Sequence, residues 1–295
     1  MGTQTLSGRK QREKEHFEGI GIYLLNFLNE CGTESQRTQR THLLKCWDKH
    51  FQYIPESLYK DRVVLDACCG NPRNVAFFKA RGAKTAVGCD ISMKIMRRGL
   101  ERDSTCVYDA EFEVDARGTN CVQGDSESLP FKDESIDTVF CFQSLHHLVK
   151  ENFLAEAARV LRGGGALFIS DPNGSHPLRG LADYVGRKAK VLTWDERSME
   201  PSSISELIEK QGFEIESRHF LNFLSETYFL LTAIVGESTP RLMRFLRRAM
   251  PFFNFLDGIL ERTLFPALPS LSWRMVFVAR KKYSPVIKEI PTLVS

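Results

Sequence analysis

Several absences narrow the reading before any motif is considered. None of the eight cysteines, at 31, 46, 68, 69, 89, 106, 121 and 141, forms a CxxC pair, so neither a zinc ribbon nor a thioredoxin-like dithiol is expected. Formal net charge is only +3, too small for a dedicated nucleic-acid binder. No uncharged run approaches the roughly 20 residues of a spanning helix. Arg9, Lys10, Arg12 and Lys14 lead into polar residues, not into the apolar stretch of a signal peptide. With so many unpaired thiols this favours a reducing, cytoplasmic setting. Internal repeats and low-complexity tracts are missing as well. What remains is an ordinary folded protein: 295 residues, 42% hydrophobic and 26% charged.

The texture changes along the chain. Residues 1–60 read as an amphipathic helical cap, with Phe17, Ile20, Tyr23, Leu24, Phe27 and Leu28 at helical spacing and a second stretch through Leu43, Leu44, Cys46, Trp47 and Phe51. From Asp61, short apolar runs alternate with helical patterns. Strands are expected at 63–67, 86–90, 120–123, 136–142, 166–170, 213–220 and 273–279, and helices at 74–81, 92–102, 152–161 and 203–211, with Gly163 to Gly165 stopping the third. Such alternation predicts an α/β fold built on βαβ units around a parallel sheet. The boundaries read as a core over 61–221, a helical insertion over 222–270, the last strand of the core within 271–283 and a loose tail over 284–295.

VVLDACCGNPRN, residues 63–74, carries the first chemical signal: a buried strand ending in Asp66, a tight turn at Gly70 and a helix opening after Pro72. Open α/β sheets bind ligands at the carboxyl ends of their strands, where a glycine lets a ligand approach the backbone. Asp90 ends the next strand, where a carboxylate can accept ribose hydroxyls. The G-x-G-x-x-G of a dinucleotide site is missing, and Cys68 and Cys69 stand where a pyrophosphate cradle wants no side chain. A phosphate-free nucleoside fits better than a nicotinamide dinucleotide.

The ordered series LDACCGNPRN, VGCDIS, VQGDSESLPF, IDTVFCFQSLHHL and AARVLRGGGALFISDPN resembles the class I S-adenosylmethionine (SAM)-dependent methyltransferases of the small-molecule group, over residues 61–175 and more weakly to 282. The resemblance implies a Rossmann-like, seven-stranded, mostly parallel sheet with helices on both faces, and SAM as cofactor. It puts Asp66 and the backbone of Ala67, Cys68 and Gly70 near the methionine moiety, Asp90 on the ribose and Ile91 on the adenine. Asp125 and Ser126 would read the adenine edge, and Phe142 and Gln143 would close near the sulfonium. Cys68 departs from the family's usual first glycine, which bears on the path of the loop.

Methyl transfer to oxygen or to an acidic carbon needs a base placed at the acceptor. His147 and His146, just after the fourth strand of the core, are the candidates, His147 ahead on reach, although one of the pair could simply pack beneath the helix. No metal ligand set is expected. The insertion is rich in Leu242, Phe245, Leu246, Met250, Phe252, Phe253, Phe255 and Leu256 beside Arg241, Arg244, Arg247 and Arg248. Between Thr239 and Lys282 nine basic residues face two acidic ones. Residues 241–256 could therefore lie on an anionic membrane, cover the acceptor pocket or join two copies of the chain. Each reading favours a small lipophilic acceptor, in small-molecule biosynthesis, over nucleic acid. The reading from another class is a non-catalytic SAM-binding or membrane-surface protein on the same fold.

Overall fold

The computed structural model describes residues 8–29, 48–101, 105–109, 112–115, 118–188, 192–193, 195–235 and 239–283. The second amphipathic stretch up to Trp47 and the tail over 284–295 lie outside them. Helix α1 (Gly8–Asn29) and two 3-10 turns (Lys49–Tyr53, Glu56–Leu58) precede β1 (Val63–Ala67) and α2 (Arg73–Ala80). Then come β2 (Thr85–Asp90), α3 (Met93–Glu101), a hairpin of β3 (Thr105–Asp109) and β4 (Phe112–Asp115), β5 (Asn120–Gln123) and β6 (Ile136–Phe142). After a 3-10 turn (Leu145–His147) follow α4 (Lys150–Val160), β7 (Leu161–Pro172), α5 (Arg179–Lys188), α6 (Pro201–Lys210) and β8 (Phe213–Leu221). Helices α7 (Leu224–Val235) and α8 (Pro240–Thr263) fill the insertion before β9 (Arg274–Lys281).

Seven strands form one sheet in the order β5-β2-β1-β6-β7-β9-β8, in which only β9 runs antiparallel to its neighbours. Alternate side chains of each strand face opposite layers. Leu65, Val139, Leu167 and Phe277 pack on one face under α4 and α6, while Val64, Phe140, Phe168 and Val276 pack on the other with α2 and the turn residues Ile54, Leu58 and Tyr59. Burial on both faces is why these strands read as near-continuous apolar runs. The Phe78 and Phe140 rings stack at 4.2 Å, at the centre of the second layer.

Gly163 to Gly165 do not stop a helix before the strand. They lie inside β7, whose pairing with β6 shifts register after Ile136↔Leu161. Gly164 sits at φ +75°, and a Cβ on Gly165 would come within 2.9 Å of the Arg162 carbonyl. The run is a bulge that only glycine accommodates. The β3–β4 hairpin and α5 were not legible as elements.

The insertion is clamped by buried carboxylates. Asp257, fully buried, accepts hydrogen bonds from the Leu224 and Ser225 backbone N–H at 2.9 and 3.0 Å and so caps α7 from α8. Glu261 accepts from the Asn222 N–H at 3.0 Å and pairs with Lys49 at 2.6 Å, and Arg274 forks onto Glu226 at 2.9 and 2.7 Å. Among the described residues no helix is long and apolar enough to cross a membrane.

Candidate active site at the carboxyl edge of the sheet

The chain runs from β1 outward through β2 to β5 and then returns to β6 on the other side of β1. This reversal opens a crevice beyond the carboxyl ends of β1 and β6. A cavity of about 380 Å³ lies there, within the usual size range of small-molecule sites.

Its floor is the loop after β1. Cys68 stands at φ +58° and Gly70 at φ +49°, so Cys68 adopts the left-handed conformation that a glycine would take more readily. The Cys68 thiol donates to Ser126 Oγ at 3.2 Å. Asp90 Oδ2 accepts the Gly70 N–H at 2.8 Å and Oδ1 the Ser92 N–H at 2.9 Å. Burial pushes the Asp90 carboxyl above its ordinary pKa, and these two backbone bonds oppose the shift. Asp66 is buried behind the loop, its pKa driven well up by desolvation, with Asn74 hydrogen-bonded against that shift.

Of the residues expected at the cofactor, Cys68, Gly70, Asp90, Ile91, Asp125, Ser126 and Gln143 line the cavity. Asp66, Ala67 and Phe142 stand outside its lining; the Phe142 ring stacks on His50 at 4.8 Å and Phe51 at 5.3 Å in the layer behind. Gln143, at φ +50°, donates through Nε2 to Ser170 Oγ at 3.0 Å, tying the end of β6 to β7.

The two histidines separate. His147 lines the cavity; His146 does not, and its Nδ1 lies 2.8 Å from Asp171 Oδ1. His147 Nδ1 is 3.2 Å from Glu13 Oε2 and 3.7 Å from Glu196 Oε1, and the Phe17 ring meets the imidazole edge-on at 4.7 Å. Burial, and next the neighbouring His146, lower the His147 pKa, while Glu13 and Glu196 oppose them.

The remaining wall is α1. Arg9 donates to the His147 carbonyl and pairs with Glu127; Lys10 pairs with Asp125 and, at 3.0 Å, with Glu127. Glu127 also accepts the Val149 N–H at 2.9 Å. The sequence reading missed Arg9, Lys10, Glu13, Glu127 and Glu196 as site residues. Charges on the polar side of a helix look like a solvated face until the helix docks. No residue of the 222–270 insertion lines this cavity, so among the described residues the cover is α1, not α7 or α8.

Residues 65–169 match the family described as a methyltransferase domain. Over that stretch the chain carries a domain of the class I SAM-dependent methyltransferase type. A probable SAM-dependent methyltransferase of Mycolicibacterium smegmatis is 30% identical over 161 residues, covering 52% of this chain and 53% of that protein. The fatty-acid O-methyltransferase of the same organism is 34% identical over 90 residues, covering 29% of this chain and 33% of that protein. This methyltransferase chain spans about half the length of the curated relatives it matches. The crystal structure of magnesium protoporphyrin IX methyltransferase from Synechocystis with bound SAH, the demethylated product of SAM, shares the fold at TM-score 0.54 and 14% identity, over 93% of this chain and 100% of that one.

The cavity fits SAM, the family's cofactor. Both oxygens of Asp90 are fixed by backbone donors yet keep a lone pair for ribose hydroxyls. The loop beneath offers side chains, not a glycine cradle, where a dinucleotide would place its pyrophosphate. Residues Asp90, Ile91, Asp125 and Ser126 would hold the nucleoside, and the loop from Cys68 to Gly70 the methionine end.

Proposed function

We propose that this chain transfers a methyl group from SAM to an oxygen or carbon of a small lipophilic acceptor. Bound SAM supplies an electrophilic methyl on a sulfonium, and the C–S bonding electrons leave with sulfur. The rest is positioning and proton handling by the protein. The observation that carries the reading is one cavity lined by both Asp90 and His147, together with the β1 loop and α1. Phe17 meets the His147 ring and Leu148 follows it in the lining, so the acceptor end pairs apolar surface with one imidazole. His147 draws off the acceptor's proton as the new bond forms. Closure by α1 keeps water from the methyl group.

The lipophilic acceptor is supported by the likeness to the fatty-acid O-methyltransferase and by α8. Leu242, Phe245, Phe252, Phe255 and Ile259 are exposed there, and helical spacing places Arg241, Arg244 and Arg248 among them on one face. A helix that offers arginine and phenylalanine together suits an anionic membrane surface, from which a lipid-like acceptor would come.

The test is transfer of labelled methyl from SAM to a panel of fatty acids and phenolic lipids, with and without anionic vesicles. Transfer that His147→Ala abolishes while SAM still binds is the expected result. SAM binding with no transfer to any acceptor would return the non-catalytic reading, and no SAM binding would end both.

A further inference from the structure

We infer that a divalent transition-metal site lies behind His147 at the edge of the cavity, with His146 Nε2, His147 Nδ1 and a carboxylate oxygen of Glu196 as ligands and Glu13, 3.2 Å from His147, as the fourth. The inference deepens the proposed reading of this end of the cavity and depends on it for the ion's role, but the site itself can be tested without any methyl transfer.

Four observations converge. First, the donor atoms of His146, His147 and Glu196 all lie within 4.8 Å of one another. The individual separations are 3.9 Å from His146 Nε2 to Glu196 Oε2, 3.7 Å from His147 Nδ1 to Glu196 Oε1 and 3.2 Å from His147 Nδ1 to Glu13 Oε2. Tetrahedral ligands at about 2.0–2.1 Å from zinc stand about 3.3 Å apart, so these three pairs need changes of about half an ångström, and any pair at the 4.8 Å limit would close by about 1.5 Å.

Second, the inward atoms are unsatisfied. Glu13 Oε2, Glu196 Oε2 and His147 Nδ1 are buried without a well-formed hydrogen bond, and His147 and Glu13 meet only as a 3.2 Å ion-pair contact. The Glu13 and Glu196 side chains are only 9% and 4% exposed. Buried acceptors that face each other need a shared proton or a cation between them.

Third, three of the four ligands are held from outside. Asp171 engages His146 Nδ1 at 2.8 Å and so turns Nε2 toward Glu196. Thr193 donates its N–H to Glu196 Oε1 at 2.6 Å and its hydroxyl to the other oxygen of Glu13. Outer partners of this kind orient metal ligands in established sites.

Fourth, the nearby cations are committed elsewhere. Arg9 engages Glu127 and the His147 carbonyl, and Lys150 Nζ donates to the Leu148 carbonyl at 3.3 Å. Two imidazoles with two carboxylates suit zinc and its neighbours better than magnesium or calcium. Once the ion is bound, His147 is a ligand, and the ion's charge takes over the lowering of an acceptor hydroxyl's pKa.

The experiment uses the full chain stripped with a chelator, then titrated with Zn²⁺ by calorimetry and with Co²⁺ by visible absorption. One equivalent should bind and give the intense bands of four-coordinate cobalt. Asp171→Asn should weaken binding about 10- to 100-fold and Glu196→Gln at least as much, while His219→Ala, outside the cluster, leaves it unchanged. Should either variant fail to fold, the ¹⁵N-histidine spectrum of the unsubstituted chain decides: Zn²⁺ should move the ring resonances of two of its seven histidines. No saturable equivalent, no histidine shift, or affinity indifferent to both variants overturns the site. A chain that binds SAM but no metal sinks this inference and leaves the methyltransferase reading standing. Metal binding without SAM binding supports the site and removes that reading.

Discussion

Asp90→Ala tests the cofactor geometry most directly. The carboxylate accepts the Gly70 and Ser92 N–H groups at 2.8 and 2.9 Å and faces the cavity where two ribose hydroxyls are expected. A hydrogen bond to a charged group contributes about 1.5–3 kcal/mol, so losing two should cost about 3–6 kcal/mol of SAM affinity. That is roughly a hundredfold to about twenty-thousandfold in Kd. Two backbone donors also lose their acceptor. Because the cavity admits water to them, the thermal cost should fall near the low end of about 1–3 kcal/mol per group. Asp90→Asn keeps one acceptor oxygen and should land between the variant and the parent. Calorimetric titration with SAM and SAH reads the affinity, and a thermal melt reads the loop. If Asp90→Ala held SAM within about threefold of the parent, a change worth under 1 kcal/mol, the placement of the ribose on Asp90 would be wrong.

Two further predictions concern a buried histidine and a pair of cysteines. His176 stacks on Trp273 at 3.6 Å, accepts the Leu178 N–H at Nδ1 at 3.1 Å and has its pKa lowered to about 4, by burial first and then by Arg179. Its neutral form is the folded one, so its stabilising share is complete above the ordinary value of 6.5 and is lost as pH falls toward 4. After discounting for solvent screening this amounts to about 2 kcal/mol, and urea unfolding at about pH 7 and pH 4.5 should show His176→Phe losing that much less than the parent. Equal losses in both proteins would refute the assignment. Cys121 is brought down to about 7 chiefly by the Cys69 thiol, against the opposing effect of burial. Among the described cysteines it should be the first alkylated near neutral pH, as peptide mapping after iodoacetamide would show, and Cys69→Ala should slow it; an unchanged rate would sink the pairing.

Local pattern made much of this protein readable. Strands buried on both faces announce themselves as apolar runs, so all seven strands of the sheet were legible, β1, β5 and β6 to the residue. Asp90 and Gly70 were expected at the ligand edge from strand-end topology, Asp125 and Gln143 from the family resemblance, and all four line the cavity. Cys68 looked like a defect in the loop, and the backbone absorbed it by taking a left-handed φ. Composition identified the insertion as greasy and basic but not where it packs.

What the sequence by itself determined is the sheet, its ligand edge and the nucleoside character of the site, all of which follow from periodicity and spacing within a few dozen residues. Only the tertiary structure decided that α1 covers the cavity, that the insertion does not, and that Glu13, His146, His147 and Glu196 converge. Those contacts join segments about 50 to more than 130 residues apart. A helix with charges on one face carries no local signal of the surface it will dock on, since that choice depends on the shape and charge of a partner that exists only once the sheet has formed.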